Sequence, residues 1–191
     1  MGIILASESP RRKELLHRIG LDFDVRTAEH DETMNPFANP ADEVERVSRL
    51  KAQAVYPLCN DDDIIIAADT IVVCDGLVMG KPRSESEAFS MLRRLAGREH
   101  QVMTGLSIMT GEEVESTCVV TTLRLRPLSD EEIRAYIATG EPMGKAGGYA
   151  IQGLASIFIV GIDGDYYNVM GMPVCTLAVM LRKHGVNLLG C

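Results

Sequence analysis

No C-x-x-C pair occurs among the five cysteines (Cys59, Cys74, Cys118, Cys175 and Cys191), and the four histidines (His17, His30, His100 and His184) are equally scattered. Ligand spacing of the zinc type is missing, which argues against a zinc site and reads the cysteines as reduced, mostly buried thiols. Positive charge is also short. Nineteen Lys and Arg against 27 Asp and Glu leave a net charge of −8 and a pI near 5.0. That balance argues against a general nucleic-acid or membrane-surface binder, so any anionic ligand must be met by a local cationic cluster. No run of about 18 apolar residues is present, and "MGIILAS" is too short for the apolar part of a signal peptide. A cytoplasmic location is therefore expected. Repeats, linkers and low-complexity segments are lacking too, and the 191 residues read as one domain.

What is present is an ordinary globular composition, 46% hydrophobic, with helix and strand patterns interleaved. The expected class is mixed α/β. "GIILA" (2–6) reads as a buried strand, and Ser9-Pro10 as the start of a helix to about Ile19. "DFDVRT" alternates as a strand, and "AEHDETMNPFANP" follows as a polar loop. Asn39-Pro40 opens a helix to about Val55 with Val44, Val47 and Leu50 as its apolar stripe. "IIIAADTIVVC" gives two apolar runs interrupted at Asp69-Thr70, and Asp75-Gly76 signals a hairpin. Capping boxes at Ser84/Glu87 and Ser129/Glu132 each begin a helix. Two long strands flank a turn at Gly111, "SIFIVGI" is a further strand, and a last helix runs from about Val174 to His184.

Charge placement at the first helix is unusual. Arg11, Arg12 and Lys13 occupy its first turn, where the helix dipole favours anions and each cation costs a few tenths of a kcal/mol. Incidental surface arginines are one explanation. The other is an anion site in which Ser7 and Ser9, the free N–H groups and the guanidiniums cradle phosphate. Asp69 puts a carboxylate inside an apolar run, which fits either a structural pairing with a lysine or a metal ligand or general base. Lys51 sits at the boundary of the long helix's apolar stripe, Lys81 lies in "GKP", and "DET" (31–33) adds carboxylates in a loop. "KAGGYAIQG" (145–153) lacks the endings of a P-loop or a dinucleotide fingerprint and serves as a plain turn or a ligand loop. Cations with sparse carboxylates suit Mg²⁺-assisted phosphate chemistry.

Together, "LASESPRRKELL", "DE" (31–32), "RLKAQAV", "AADTIVV", "GKP", "HQVMTG", "GEPMGKAGGYAIQG" and "DYYNVMGMP" resemble the Maf family of nucleotide pyrophosphatases, in family order and over nearly the whole chain. The resemblance implies a long central mixed sheet flanked by helices, two lobes with a deep cleft, and kinship to inosine-triphosphate pyrophosphatases. It implies hydrolysis of a nucleoside triphosphate between the α and β phosphates, a house-cleaning activity that keeps non-standard nucleotides out of nucleic acid. Asp69 would be catalytic base and metal carboxylate, with Glu32 a second metal contact. Ser7, Arg11, Arg12, Lys51 and Lys81 would grip the triphosphate. Because cations are unfavourable at a helix N-terminus, removing either arginine is expected to weaken triphosphate binding without destabilising the empty protein. Arg12, Thr70 and Gln152 match positions tied to substrate choice. Glutamine in "AIQG" resembles the dTTP/UTP branch, whereas a branch acting on 7-methyl-GTP carries glutamate there. The implied cofactor is a divalent metal, Mg²⁺ or alternatively Mn²⁺, and the implied assembly is a homodimer. A nucleotide-binding regulator of cell division with residual catalysis is the alternative function.

Overall fold

A computed structural model describes residues 1–190. The fold is mixed α/β. Strand β1 (Ile3–Leu5) leads into helix α1 (Pro10–Arg18), β2 (Asp24–Val25) and α2 (Pro40–Val55). Strands β3 (Ile64–Cys74) and β4 (Leu77–Met79) form the expected hairpin through Asp75 and Gly76, both at positive φ. Helix α3 (Glu85–Leu95), strands β5 (Glu99–Thr110) and β6 (Glu113–Leu125), helix α4 (Asp130–Ala138), strand β7 (Ile159–Asp163), and helices α5 (Tyr166–Val169) and α6 (Val174–Lys183) follow. The seven strands form one sheet in the order β2-β1-β3-β5-β6-β7, with β4 beside β3. β1 lies parallel to β2 and β3, whereas β3–β4 and β6–β7 are antiparallel.

The chain divides into two compact units. One comprises Met1–Asp69, Thr104–Val119 and the chain from Gly171 onward; the other comprises Thr70–Met103 and Val120–Met170. In the first unit, Ile4 of β1, Ala6 just beyond it, and Ile65 and Ala67 of β3 point to one face and pack against Ala52 and Val55 of α2 and Met109 of β5. Helix α2 comes close because β5 has a glycine beneath it: a Cβ on Gly105 would lie 2.2 Å from the Val44 carbonyl. Ser48 and Ser107 share a buried hydroxyl contact of 2.6 Å nearby.

Several expectations change. β3 is one unbroken strand, with Asp69 and Thr70 its only partly exposed residues, so Asp69 lies mid-strand. The strand expected over "DFDVRT" shrinks to two exposed residues. The first part of "SIFIVGI" is a 3₁₀ turn (Leu154–Phe158), and the short helix α5, capped by the Asp165 carboxylate, was not foreseen. The Ser129/Glu132 capping box is complete, whereas the Glu87 carboxylate takes the Arg83 N–H instead of closing the box with Ser84. The thiols are free but not mostly buried: Cys74 is buried, Cys59 and Cys118 are half-buried and Cys175 is exposed, while Cys191 lies outside the described residues. Among the described residues no helix is long and apolar enough to cross a membrane.

Candidate active site

Helix α1 begins where β1 ends, and its N-cap is Ser9, with Pro10 at the first helical position. The Ser9 side chain makes no capping bond; its N–H instead donates to Ser7 Oγ at 3.2 Å. Ser7 Oγ also accepts from Arg12 at 3.1 Å, and Arg12 Nε donates to the Gly171 carbonyl at 2.8 Å. Arg12 is buried, the whole residue being 9% exposed. Burial lowers its pKa, the Asp69 carboxylate opposes this, neighbouring Arg11 adds to it, and Glu32 opposes it again. Arg12 therefore ties α1 to the segment after α5, so its removal is expected to cost the empty protein stability, contrary to the reading from the helix dipole alone. Arg11 is half-buried beside it.

Asp69 extends the row Ile65, Ala67 along the face of β3 that meets α2. The buried stripe of α2 runs through Val44, Val47, Ser48, Lys51, Ala52 and Val55. Lys51 is thus on the stripe, and Leu50, expected there, is only half-buried. Lys51 Nζ lies 2.6 Å from Asp69 Oδ1 and 2.8 Å from Glu32 Oε1. His30 Nε2 approaches the same Glu32 oxygen at 3.1 Å, and its Nδ1 contacts the Ala28 carbonyl. The lysine pairing weighed for Asp69 is present, but it joins two carboxylates and leaves Asp69 partly exposed.

The loop holding Glu32 is fixed from α2 as well. Glu43 Oε2 accepts the Asn35 N–H at 2.8 Å, and Arg46 donates to the Thr33 carbonyl at 2.7 Å while pairing with Glu43. The Arg46 guanidinium, with the Asn35 N–H second, depresses the Glu43 pKa to about 2. Ser7, Arg11, Arg12, Glu32, Lys51 and Asp69 all belong to the first unit, while Thr70, Lys81 and Gln152 belong to the second. Thr70 is half-buried. Lys81 is exposed between Gly80, whose carbonyl accepts the Gly147 N–H, and buried Pro82. Gln152 is exposed on a turn closed by Gly153 N–H to the Ala150 carbonyl at 3.0 Å.

Two oxygens from separate segments meeting at one cationic atom suit a hard ion such as Mg²⁺ or Mn²⁺, which binds through one or two carboxylates plus water and substrate phosphates. Among the described residues no group of three or more His, Cys, Asp or Glu could hold a metal ion. Sequence reasoning missed the Gly171 carbonyl, His30, Glu43 and Arg46; Gly171 fell within the quoted motif "DYYNVMGMP" and His30 within the quoted loop "AEHDETMNPFANP".

A family model described as Maf-like protein matches residues 2–184. The chain belongs to the Maf family. Among the relatives of this Maf-family chain, the dTTP/UTP pyrophosphatase of Pelotomaculum thermopropionicum is 47% identical over 189 residues, 98% of each chain. That of Symbiobacterium thermophilum is 48% identical, covering 96% of this chain and 94% of the relative. That of Bacillus velezensis is 42% identical, covering 97% of each. A solved structure of the Ham1 protein of Staphylococcus aureus superposes with a TM-score of 0.45 at 17% identity, over 64% of this chain and 71% of that one.

Proposed function

We propose that this chain is a nucleoside triphosphate pyrophosphatase that hydrolyses dTTP and UTP to the monophosphate and pyrophosphate. The observation that carries the reading is the meeting of Asp69 and Glu32 at Lys51, with the buried Arg12 electrostatically coupled to both carboxylates. Near-full-length relatives named for this reaction support the substrate.

In this reading Asp69 and Glu32 would hold a divalent ion. When bound, the ion supplies positive charge to the phosphates and lowers the pKa of water. Asp69 orients a water against the α-phosphorus and accepts its proton as the new P–O bond forms and the bond to the β-phosphate oxygen breaks. Arg11, Arg12 and Lys81 stabilise the charge that develops on departing pyrophosphate, and Ser7 and the α1 N–H groups bind phosphate oxygens. Lys51, held between the two carboxylates, supplies positive charge to the same oxygens.

Gln152 reads the base. Uracil and thymine present an N3–H donor beside carbonyl acceptors, and an amide supplies an acceptor and a donor to match. Guanine presents two adjacent donors, which suit a carboxylate. Thr70 joins Gln152 in base choice, and the site operates in a cytoplasmic homodimer. The deciding experiment is kcat/KM for dTTP, UTP, GTP and 7-methyl-GTP at one Mg²⁺ concentration. Pyrophosphate in stoichiometric excess over protein, greatest with the pyrimidines, is expected. Release of no more than one pyrophosphate per protein would favour a nucleotide-binding regulator instead, and a preference for purines would refute the substrate.

A further inference from the structure

The turn that carries Gln152 is held by a carboxylate fourteen residues upstream of its far end. Glu141 follows α4, and its two oxygens accept three hydrogen bonds. Oε2 takes the Leu154 N–H at 3.0 Å; Oε1 takes the Ala155 N–H at 3.3 Å and the Tyr136 hydroxyl at 2.8 Å. The Tyr136 oxygen in turn accepts the Ala150 N–H at 3.3 Å. One carboxylate thus fastens both ends of residues 150–155, one directly and one through the phenol. Gln152 stands exposed at the crest between buried Ile151 and Gly153. Tyr136 is itself fixed, buried edge-on against Phe158 at 5.3 Å between ring centroids.

Two further facts fit a clamp rather than an incidental contact. A Cβ on Gly153 would lie 2.4 Å from Glu141 Oε2, so a side chain at 153 would push the carboxylate away from its partners. The charge state is also set by the contact. Burial alone would raise the Glu141 pKa, yet the Leu154 N–H, the Tyr136 hydroxyl and the Ala155 N–H outweigh it, and the carboxyl is lowered and remains an acceptor at neutral pH.

We propose that Glu141, with Tyr136, is a positioning residue for base selection: it fixes the turn so that the Gln152 amide meets the pyrimidine edge in one orientation. The inference rests on the reading that Gln152 contacts the base. A neutral amide cannot replace the carboxylate, because in either orientation its NH₂ would face a backbone N–H, that of Leu154 or that of Ala155. An aspartate is one methylene short of the same partners.

The experiment compares Glu141→Gln, Tyr136→Phe, Gly153→Ala and Gln152→Ala with wild type, using the ratio of kcat/KM for dTTP to that for GTP. Affinity for inorganic tripolyphosphate, a probe without a base, reports folding and phosphate binding. The three clamp variants are expected to compress the ratio by about ten-fold, the effect of one buried hydrogen-bond mismatch, with tripolyphosphate affinity unchanged. Tyr136→Phe deletes one oxygen and retains the packing, so it tests the clamp even if Glu141→Gln folds poorly. Combined with Gln152→Ala, the Glu141→Gln change should compress the ratio no further. If Gln152→Ala compresses the ratio and the clamp variants do not, the positioning role is overturned and the base contact stands. If Gln152→Ala leaves the ratio unchanged, the base contact itself falls, and the inference with it. Additive effects in the double variant would also overturn it.

Discussion

At the residue scale the two adjacent arginines of α1 separate in role. Arg12 Nε and one terminal nitrogen are engaged with Gly171 and Ser7 in a buried setting, so Arg12→Ala strands a buried carbonyl. Such a loss costs about 1–3 kcal/mol, and the empty variant should melt several degrees below wild type. Arg11→Ala should melt within a degree or two of wild type in the empty state but bind tripolyphosphate more weakly. Equal melting of both variants would show that the Gly171 tie is dispensable. Asp69→Asn keeps the shape of the side chain and removes a base, and turnover should fall by roughly 10²–10⁴-fold in a folded protein. A variant retaining more than about a tenth of the wild-type rate would remove Asp69 from the chemistry. Lys51→Met takes the cation from between two carboxylates, leaving like charges opposed. It should melt lower than wild type without metal, and Mg²⁺ should raise its melting temperature more than it raises that of wild type. An identical metal response in the two proteins would argue that these carboxylates are not where Mg²⁺ binds.

At the element scale α2 acts as one rigid bar carrying three functions: Glu43 and Arg46 fix the Glu32 loop, Lys51 reaches Glu32 and Asp69, and its small face seats on β5. Gly105→Ala drives a methyl group into the Val44 carbonyl, a backbone atom that cannot rotate away. Overpacking of this kind costs about 1–3 kcal/mol or more, and urea unfolding should show a lower midpoint with lower turnover, since Lys51 moves with the helix. The limits of α2 were legible because Asn39 and Pro40 act locally: the Asn39 side chain accepts the Ala41 N–H, as an N-cap should. Its rotation was less legible. One residue of error turns the stripe by about 100°, and that error put Leu50 inside and Lys51 at the margin. Asp69 looked like an interruption because its partner, Lys51, is distant in sequence, and pairing lets a carboxylate stay in a continuous strand. The Glu141 clamp was unreadable for the same reason: backbone N–H groups leave no mark on residue identity.

At the scale of the whole molecule, acid should act before the carboxylates titrate. His100 is buried, its Nε2 against the Tyr149 hydroxyl at 2.7 Å, and burial lowers its pKa to about 4 from 6.5. Between those values the unfolded chain takes up a proton that the folded one refuses, so stability falls as pH drops through about 6.5 and levels only near pH 4. Urea midpoints at pH 7 and pH 5 should differ more for wild type than for His100→Asn; equal differences would show that another group sets the slope. The order of the chain through the two units has a consequence of its own. The boundaries fall at 69/70, 103/104, 119/120 and 170/171, and three of them lie inside β3, β5 and β6. Each unit is woven from separated stretches that are continuous with the other through shared strands. No single protease cut or gene breakpoint can release either unit whole, so the two halves must be synthesised, inherited and degraded together.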